Sequence, residues 1–269
     1  MRSTLDDALR GLAPGLPPLP RAAARTALLG FGRRFRREIL DADAAVATGG
    51  LPAAADLLLT RYSGPVTVAG AERVPADGPL LAVANHPGTV DTLAVWRALA
   101  VRRDLRVIAL DRPFLRAIPN IARHLLYVAD DGHQRSRLVR EAMRHLRGGG
   151  ALLVFPAGET EPDPAVRPEA ALAALAGWSR SPELFARLVP GLPVLPLAVS
   201  GVLAERSLRH PVARLRRDPE ARELAAATLQ VVRADRSLRP RVLVGEPLRG
   251  RPDGLTEDLR ATMAALFRA

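Results

Sequence analysis

The stretch LLAVANHPGTVDT, residues 80–92, sets the expected architecture of this chain. Its first five residues, Leu80–Ala84, are all apolar and predict a buried β-strand. The pair Pro87-Gly88 stops the strand, and an apolar, helix-patterned segment opens at Asp91. The stretch therefore predicts a strand-to-helix junction that carries one imidazole, His86, and one carboxylate, Asp91. In open α/β sheets, ligands bind in the crevice at such strand ends.

His86 and Asp91 have the side chains that general-base catalysis requires. A neutral imidazole can take a proton from a hydroxyl near neutral pH. A carboxylate bonded to the other ring nitrogen fixes the tautomer and stabilises the imidazolium that forms. Residues five apart do not share a face of a regular helix, so the pair needs the bend that Pro87-Gly88 supplies. We predict His86 as the base and Asp91 as its orienter. The alternative is a structural histidine that caps the helix.

Strand and helix patterns alternate from residue 66 onward. Strand patterns occupy residues 66–69, 80–84, 106–110, 125–129, 151–155, 194–199 and 242–244. Helical patterns occupy residues 92–100, 134–146, 169–178, 219–232 and 255–267. This alternation predicts an α/β fold with a mixed, largely parallel β-sheet flanked by helices on both faces. Pro196 lies at the centre of the sixth strand pattern and predicts an edge or bulged strand there.

The N-terminal region predicts a helical appendage over residues 1–63, followed by an α/β domain over residues 64–269. Prolines indicate a loop or extended arm in residues 1–20, and Gly49-Gly50 separates two helical patterns. In the first helix, apolar residues at helical spacing are flanked by four arginines: Arg33, Arg34, Arg36 and Arg37. This pattern is typical of a helix lying on an anionic membrane, but also of a helix that packs its apolar stripe on the main domain.

The composition is basic and free of cysteine. All 39 basic residues are arginine, and the net charge is +11. This charge favours an anionic membrane surface or an acidic substrate, or it reflects compositional bias. Aromatic residues make up 4% and no nucleic-acid-binding motif is recognisable, so a nucleic-acid partner is not expected. Without cysteine, disulfides, zinc–thiolate sites and cysteine catalysis are excluded.

Hydropathy predicts a cytoplasmic protein, peripheral on the inner face of the membrane. No run approaches the roughly 20 uninterrupted apolar residues of a membrane span. The best run, residues 192–204, is short and contains Pro193 and Pro196. The first 15 residues contain two aspartates and lack the apolar core of a secretory signal.

A second junction, FPAGET at residues 155–160, repeats the design of the first. It follows another apolar strand pattern, and Gly158 has no side chain to keep the loop backbone away from a ligand. Together, NHPGTVD (85–91), FPAG (155–158) and PVLPLAVSG (193–201) resemble the motifs of the glycerolipid acyltransferase family. Its best-known members acylate lysophosphatidate. The resemblance covers about residues 66–203, with the motif core at residues 80–203.

The four motifs of that family match unequally. The first, Asn-His-x4-Asp, matches in full, and the fourth, a Pro-rich apolar strand, matches loosely. In the third, Phe-Pro-Glu-Gly-Thr, Ala157 replaces the glutamate and Glu159 stands where threonine is usual. In the second, Asp130 stands where the family has an arginine, although Arg135 and Arg137 follow soon after.

The resemblance implies an αβα fold and the transfer of an acyl group to a lipid hydroxyl. The donor would be an acyl thioester of coenzyme A or acyl carrier protein, and the acceptor a lysophospholipid or similar lipid; neither a metal nor another cofactor is required. Backbone N–H groups of residues 157–160 would stabilise the oxyanion. The implied catalytic residues are His86 and Asp91. The implied substrate-binding residues are Asn85, Arg135, Arg137, Phe155, Pro156, Gly158, Glu159 and Thr160.

Several alternatives remain open at the level of sequence. The altered third motif is compatible with a non-catalytic relative that binds lipid or acyl carrier. An ester hydrolase could use the same His–Asp pair, although no Gly-x-Ser-x-Gly elbow occurs. Glu159 and Glu161 could stand in for the missing motif glutamate or lie in an exposed loop. Trp178 belongs to helix core or to an acyl-chain groove.

Overall fold

The computed structural model describes residues 18–88, 90–128, 132–249 and 252–269. Within these ranges, a seven-stranded sheet lies between helices on both faces. Three sequence-based expectations lie outside the described residues, at least in part. They are the N-terminal arm up to residue 17, the end of the fourth strand pattern at Ala129, and Asp130 of the second motif.

The strands are β1 (Thr67–Ala69), β2 (Leu80–Ala84), β3 (Arg106–Leu110), β4 (Leu125–Val128), β5 (Ala151–Val154), β6 (Val194–Ser200) and β7 (Arg241–Val244). Their order across the sheet is β1-β7-β6-β2-β5-β3-β4. Strands β2 to β6 are parallel, β7 pairs antiparallel with β6, and β1 pairs parallel with β7. The sheet is therefore mixed and largely parallel, which confirms the predicted fold class.

The helices are α1 (Pro18–Tyr62), α2 (Asp91–Ala98), α3 (Pro113–Arg116), α4 (Pro119–Ala122), α5 (Gly132–Arg147), α6 (Pro168–Ala174), α7 (Ser181–Leu188), α8 (Glu205–Leu208), α9 (Pro211–Arg214), α10 (Pro219–Arg233) and α11 (Leu255–Arg268). Two 3₁₀ turns, Ala71–Arg73 and Leu175–Gly177, complete the described elements.

Strand β2 lies at the centre of the sheet and is buried along its whole length. Its side chains alternate between the two faces, as expected for a strand. Leu80, Ala82 and Ala84 belong to the core that α1 and α2 cover. Leu81 and Val83 belong to the core that α5, α7 and α11 cover. This two-sided burial explains the uninterrupted apolar run that opens the key stretch.

Helix α1 is interrupted at Gly50, whose φ of 69° is not helical. This confirms the predicted break at Gly49-Gly50. From Ala42 to Tyr62, the apolar residues of α1 pack into the same core as β2. The Asp43 carboxylate accepts the backbone N–H of Ile121 in α4 at 2.8 Å. Packing on the main domain, one of the two alternatives for the first helix, therefore describes its residues from Ala42 onward, and the second helix packs in the same core.

One stretch of the described chain, Gly30–Tyr62, is long and apolar enough to cross a membrane, and 44% of its most apolar window is buried. The core helix of a soluble protein satisfies the same criterion, so this is weak evidence for a span. A count of uninterrupted apolar residues had not indicated the stretch, because Asp43 and Asp56 interrupt it.

Strand β6 is an interior strand that pairs with β2 on one side and β7 on the other. Of the two alternatives predicted from Pro196, the edge position is therefore wrong. The register shifts by one residue between the Leu197–Val244 pair and the Val194–Leu248 pair, which is a bulge in the segment that follows β7. Pro196 lies opposite this bulge, where its carbonyl accepts the N–H of Gly245 at 2.9 Å.

Candidate active site

The carboxyl ends of β2, β5 and β6 meet at one edge of the sheet because these strands are parallel. His86 lies just beyond β2, Phe155 just beyond β5, and Gly201 just beyond β6. Since β2 and β5 pair directly, the two junctions that the sequence indicated are neighbours. They lie at the centre of the sheet, where its strand order provides a crevice for ligands.

The His86 imidazole and the Asp91 carboxylate form a direct hydrogen bond. Nδ1 of His86 lies 2.6 Å from Oδ2 of Asp91. The His86 side chain is 32% exposed, whereas that of Asp91 is 1% exposed. Nδ1 therefore faces the protein interior. Nε2 bonds to no residue in the described ranges, so it is the ring nitrogen that remains for a ligand.

Asp91 is held in place by the turn that precedes it. Its Oδ2 also accepts the Gly88 N–H at 2.8 Å, and its Oδ1 accepts the backbone N–H of Thr92. Gly88 has a φ of 96°, a left-handed conformation that favours glycine. This turn brings the carboxylate back to the ring five residues earlier, as the Pro87-Gly88 bend predicted.

The electrostatics of the pair favour the ionised carboxylate. Burial lowers the pKa of His86, but the Asp91 and Glu161 carboxylates outweigh burial and raise this pKa above its ordinary value of 6.5. Burial raises the pKa of Asp91, but His86 and the N–H groups of Gly88 and Thr92 outweigh burial and lower it. His86 therefore keeps its proton to a higher pH than a free imidazole does.

The second junction lies directly against the first. The Phe155 and His86 rings have centroids 4.7 Å apart, with 36° between their planes. A Cβ added to Gly88 would come within 3.2 Å of the Thr160 methyl group, so the two loops touch. Gly158 has a φ of 71°, and a Cβ placed there would meet nothing within 4 Å. At Gly158 the loop thus presents bare backbone to open space.

A protein-family model described as Acyltransferase matches residues 65–200, which is just over half of the chain. The matched residues contain both junctions and the imidazole–carboxylate pair. The chain belongs to the acyltransferase family. This confirms the resemblance that the motifs had indicated, and family membership supports acyl transfer as the activity.

Among solved structures, this acyltransferase is similar to the 1-acyl-sn-glycerophosphate (LPA) acyltransferase PlsC from Thermotoga maritima. The identity is 17% and the TM-score is 0.46, with 99% of this chain and 88% of PlsC covered. A likeness at this level carries no information about the donor or the acceptor. A search of curated protein sequences gave no match.

Asn85, the first residue of the first motif, connects the end of β2 to β6. Its Nδ2 donates to the Val199 carbonyl at 2.9 Å, and its Oδ1 accepts the Val199 N–H at 2.7 Å. The side chain is 1% exposed. It therefore continues the pairing of β2 with β6 beyond the last strand residue. This contact fixes the chain immediately before His86.

In the loop after β5, two backbone N–H groups already have acceptors. The Gly158 N–H donates to the Phe155 carbonyl at 3.1 Å, and the Glu161 N–H donates to the His86 carbonyl at 2.8 Å. The intervening N–H groups of Glu159 and Thr160 have no acceptor among the residues that the structure describes. Both residues are exposed. Of the expected oxyanion donors, residues 157–160, these two remain available for a ligand, as does the N–H of the half-buried Ala157, which has no acceptor among the described residues either.

Pro156 belongs to the second junction, whereas Arg135 and Arg137 lie on another element. Pro156 is buried, and its carbonyl accepts the Ser179 N–H at 3.0 Å. Arg135 and Arg137 lie near the start of α5, and Arg137 forms an exposed ion pair with Glu141 at 3.0 Å. Helix α5 connects β4 to β5, the strand that pairs with β2. The role of the two arginines in substrate binding stays a prediction.

Sequence reasoning left the roles of Glu161 and Trp178 open. Glu161 could stand in for the missing motif glutamate or lie in an exposed loop, and the structure buries it at 5% exposure. Its Oε2 accepts the His86 backbone N–H at 2.8 Å, and its Oε1 accepts the indole N–H of Trp178 at 2.7 Å. The sequence feature that could have indicated Glu161 is its position only three residues after Gly158. The spacing alone does not reveal that the carboxylate is buried.

Asp163 joins the third motif to the fourth. Its carboxylate accepts the backbone N–H groups of Gly201, Val202 and Leu203 at 3.0, 2.7 and 2.8 Å. These donors directly follow β6. The loop after β5 is therefore tied across β2 to the end of β6, which keeps the edge of the sheet around His86 rigid.

The expectation that neither a metal nor another cofactor is required stays a prediction. In the part of the chain that the structure describes, no three histidine, aspartate or glutamate side chains are grouped as a metal site.

Proposed function

We propose that this acyltransferase moves a fatty acyl group from an acyl thioester to a hydroxyl of a lysophospholipid or similar lipid. The thioester would be carried by coenzyme A or by acyl carrier protein. The observation that supports this proposal most strongly is the His86–Asp91 pair. Its carboxylate is buried, its imidazole is partly exposed, and the two are joined through Nδ1 at 2.6 Å.

In the proposed reaction, Nε2 of His86 accepts the hydroxyl proton while the hydroxyl oxygen attacks the thioester carbonyl carbon. The Asp91 carboxylate stabilises the imidazolium that results. The tetrahedral intermediate then collapses, the C–S bond breaks, and the leaving thiolate takes the proton from Nε2. The products are an ester and a free thiol, and the imidazole is neutral again. No covalent enzyme intermediate is needed.

The negative charge on the tetrahedral intermediate requires hydrogen-bond donors close to the imidazole. The N–H groups of Glu159 and Thr160 are the candidates, because they are exposed and lack acceptors among the described residues. Phe155 and Gly158 would form the wall against which the substrate lies. Asn85 would position the His86 loop rather than contact the substrate.

Arg135 and Arg137, near the start of α5, would hold a charged group of the substrate. In the second motif, Asp130 stands where the family has an arginine. This departure leaves the acceptor class wider than glycerol phosphates.

The substrate proposal is tested with the purified full-length chain. Acyl-coenzyme A and acyl-carrier-protein donors are each incubated with a panel of lysophospholipids, glycosylated alcohols and amine-bearing lysolipids. Mass spectrometry then detects acylated lipid. We expect at least one donor–acceptor pair to give product. The absence of product with every pair would contradict the proposal.

Ala157 supports a second candidate function, that of a non-catalytic relative that binds lipid or acyl carrier. The family motif has a glutamate at this position, whereas this chain has a methyl group. The two functions differ in thiol release. Binding of acyl thioester without any His86-dependent release of thiol would favour the second.

The acid side of the pH–rate profile is predicted from the pKa of His86. The base must be neutral, and the Asp91 and Glu161 carboxylates raise its pKa above 6.5. We therefore expect kcat/KM to fall with acid at a midpoint above pH 6.5, because His86 becomes protonated there. Initial rates of acyl-lipid formation between pH 5 and 9 measure this midpoint. A midpoint below 6.5 would argue against His86 as the titrating base.

We also propose that α1 contacts an anionic membrane, peripherally and on the cytoplasmic face. Its residues Arg33, Arg36 and Arg37 are exposed. Arg34 donates to the Val232 carbonyl at 3.3 Å, and Glu38 bonds to Arg61 and Tyr62. Tyr62 shortly precedes β1, which starts at the edge of the sheet where β2 ends, since the two strands run in opposite directions. The segment of α1 around Glu38 thus lies towards the same ends of the strands as His86.

Charge reversal on α1 tests the membrane contact. We expect the triple variant Arg33→Glu, Arg36→Glu, Arg37→Glu to bind vesicles containing anionic phospholipid at least about 100-fold more weakly at low salt. A matched triple reversal of exposed arginines elsewhere, Arg103→Glu, Arg140→Glu, Arg144→Glu, should bind much more tightly than the α1 variant. Co-sedimentation measures both. Equal loss in the two variants would indicate that overall charge, and not α1, determines binding.

A further inference from the structure

Glu161 holds the main chain of His86 from both sides. Its Oε2 accepts the His86 N–H at 2.8 Å, and its own N–H donates to the His86 carbonyl at 2.8 Å. Its Oε1 is anchored by the indole N–H of Trp178 at 2.7 Å. Trp178 is 2% exposed, so this anchor is part of the core between β5 and α7. The backbone of the proposed base is thus connected to a rigid part of the fold.

A buried carboxylate with this set of partners is unusual. Burial raises the pKa of Glu161, and the N–H groups of Trp178 and His86 and the charge of His86 offset only part of that effect. No arginine forms a recorded ion pair with Glu161 in the described ranges. The titratable groups that act on it are His86 and Asp91. Such a group is costly to keep unless its charge or its hydrogen bonds serve the site.

We propose that Glu161 is a positioning residue for the acyl-transfer reaction, which fixes the backbone of His86 and stabilises the imidazolium as it forms. This inference depends on the proposed function, because it assigns the site a second carboxylate beside Asp91. The two carboxylates act at different points. Asp91 bonds to the ring at Nδ1, whereas Glu161 bonds to the main chain and acts on the ring through space.

The proposal also bears on the altered third motif. Ala157 lacks the carboxylate that the family motif has, but Glu161 supplies a buried carboxylate from the same loop. The loss of a carboxylate at residue 157 therefore does not leave the junction without one. A catalytic function, rather than binding alone, is consistent with this substitution.

Glu161→Gln is the primary test because it removes the charge and nearly preserves the shape. The glutamine oxygen can accept one of the two N–H groups, but its NH₂ must face the other, so the His86 loop loses a contact. We expect kcat to fall about 10–100-fold, with the KM for the acyl donor little changed. We also expect the acid midpoint of kcat/KM to move to lower pH, because the anion that favours protonated His86 is gone.

Two further variants separate charge from structure. Glu169→Gln removes an exposed glutamate at the start of α6, and it should leave both kcat and the pH profile unchanged. Trp178→Phe removes the indole donor but keeps the Glu161 carboxylate. We expect it to lower kcat while its acid midpoint does not move to lower pH, because the Glu161 carboxylate remains. This variant also decides the question if Glu161→Gln does not fold. An unchanged kcat, or a midpoint that moves to lower pH, would overturn the proposal.

Failure of this inference can be distinguished from failure of the proposed function. NMR titration of the labelled full-length protein, with the His86 signal assigned by its loss in His86→Ala, needs no substrate. We expect the His86 pKa to be lower in Glu161→Gln than in wild type. An active wild type with the same rate and His86 pKa in Glu161→Gln would overturn the role of Glu161 alone. A wild type inactive on every thioester would overturn the proposed function instead.

Discussion

His86→Ala is expected to lower kcat for acyl transfer by about 10²–10⁴-fold, the usual contribution of a general base. The hydroxyl is a poor nucleophile until its proton is removed, and no other described imidazole lies within hydrogen-bond reach of Asp91. The fold should persist, because Asp91 keeps its bonds to the N–H groups of Gly88 and Thr92. Rates of acyl-lipid formation and thermal unfolding measure the two effects separately.

A matched histidine substitution controls for the loss of an imidazole. His124 is half-buried and bonds through Nδ1 to the Leu105 carbonyl at 2.8 Å, at the opposite edge of the sheet. His124→Ala should retain activity close to that of the wild type. If His86→Ala stays folded and keeps most of its activity, His86 is not the base.

Asp91→Asn is expected to lower kcat by about 10³–10⁴-fold, as the loss of an orienting carboxylate does in other imidazole-based sites. An asparagine NH₂ directed at Nδ1 of His86 would stabilise the tautomer that carries its proton on Nε2, which cannot accept another. Its neutral side chain would also no longer stabilise the imidazolium. Steady-state kinetics with the donor and acceptor identified for the wild type measure this loss.

The same substitution has a structural consequence that must be measured alongside. Both oxygens of Asp91 accept N–H groups, from Gly88 and from Thr92, so one of them faces an NH₂ in the variant. We expect the free energy of unfolding to fall by about 1–3 kcal/mol. Asp253→Asn, which changes an exposed carboxylate paired with Arg187, should leave activity unchanged. Near-normal turnover in a folded Asp91→Asn protein would contradict the orienting role.

Much of the central architecture was predictable because it depends on local pattern. The apolar run of β2 has one interpretation once it is bounded by Pro87-Gly88, and its bounds, Leu80–Ala84, were predicted correctly. The same holds for β3, Arg106–Leu110. The contact between His86 and Asp91 was also predictable, since a glycine that can adopt positive φ lies between them.

The features that were missed depend on tertiary contacts. Pro196 indicated an edge or a bulged strand, and the pattern could not decide that the strand is interior, with a bulge beside Gly245. The short helices α3, α4, α8 and α9 are each only four residues long and leave no periodic pattern. The burial of Glu161 was not visible, because its partner Trp178 lies 17 residues away along the chain.

The most direct test of acyl transfer by His86 is the stoichiometry of its products. Acylated lipid and free thiol are quantified in the same reaction, with the wild type and with His86→Ala. We predict one acylated lipid for each thiol released by the wild type, and formation of both products about 10²–10⁴-fold more slowly with His86→Ala. Thiol release without acylated lipid, or equal product formation by both proteins, would contradict the proposal.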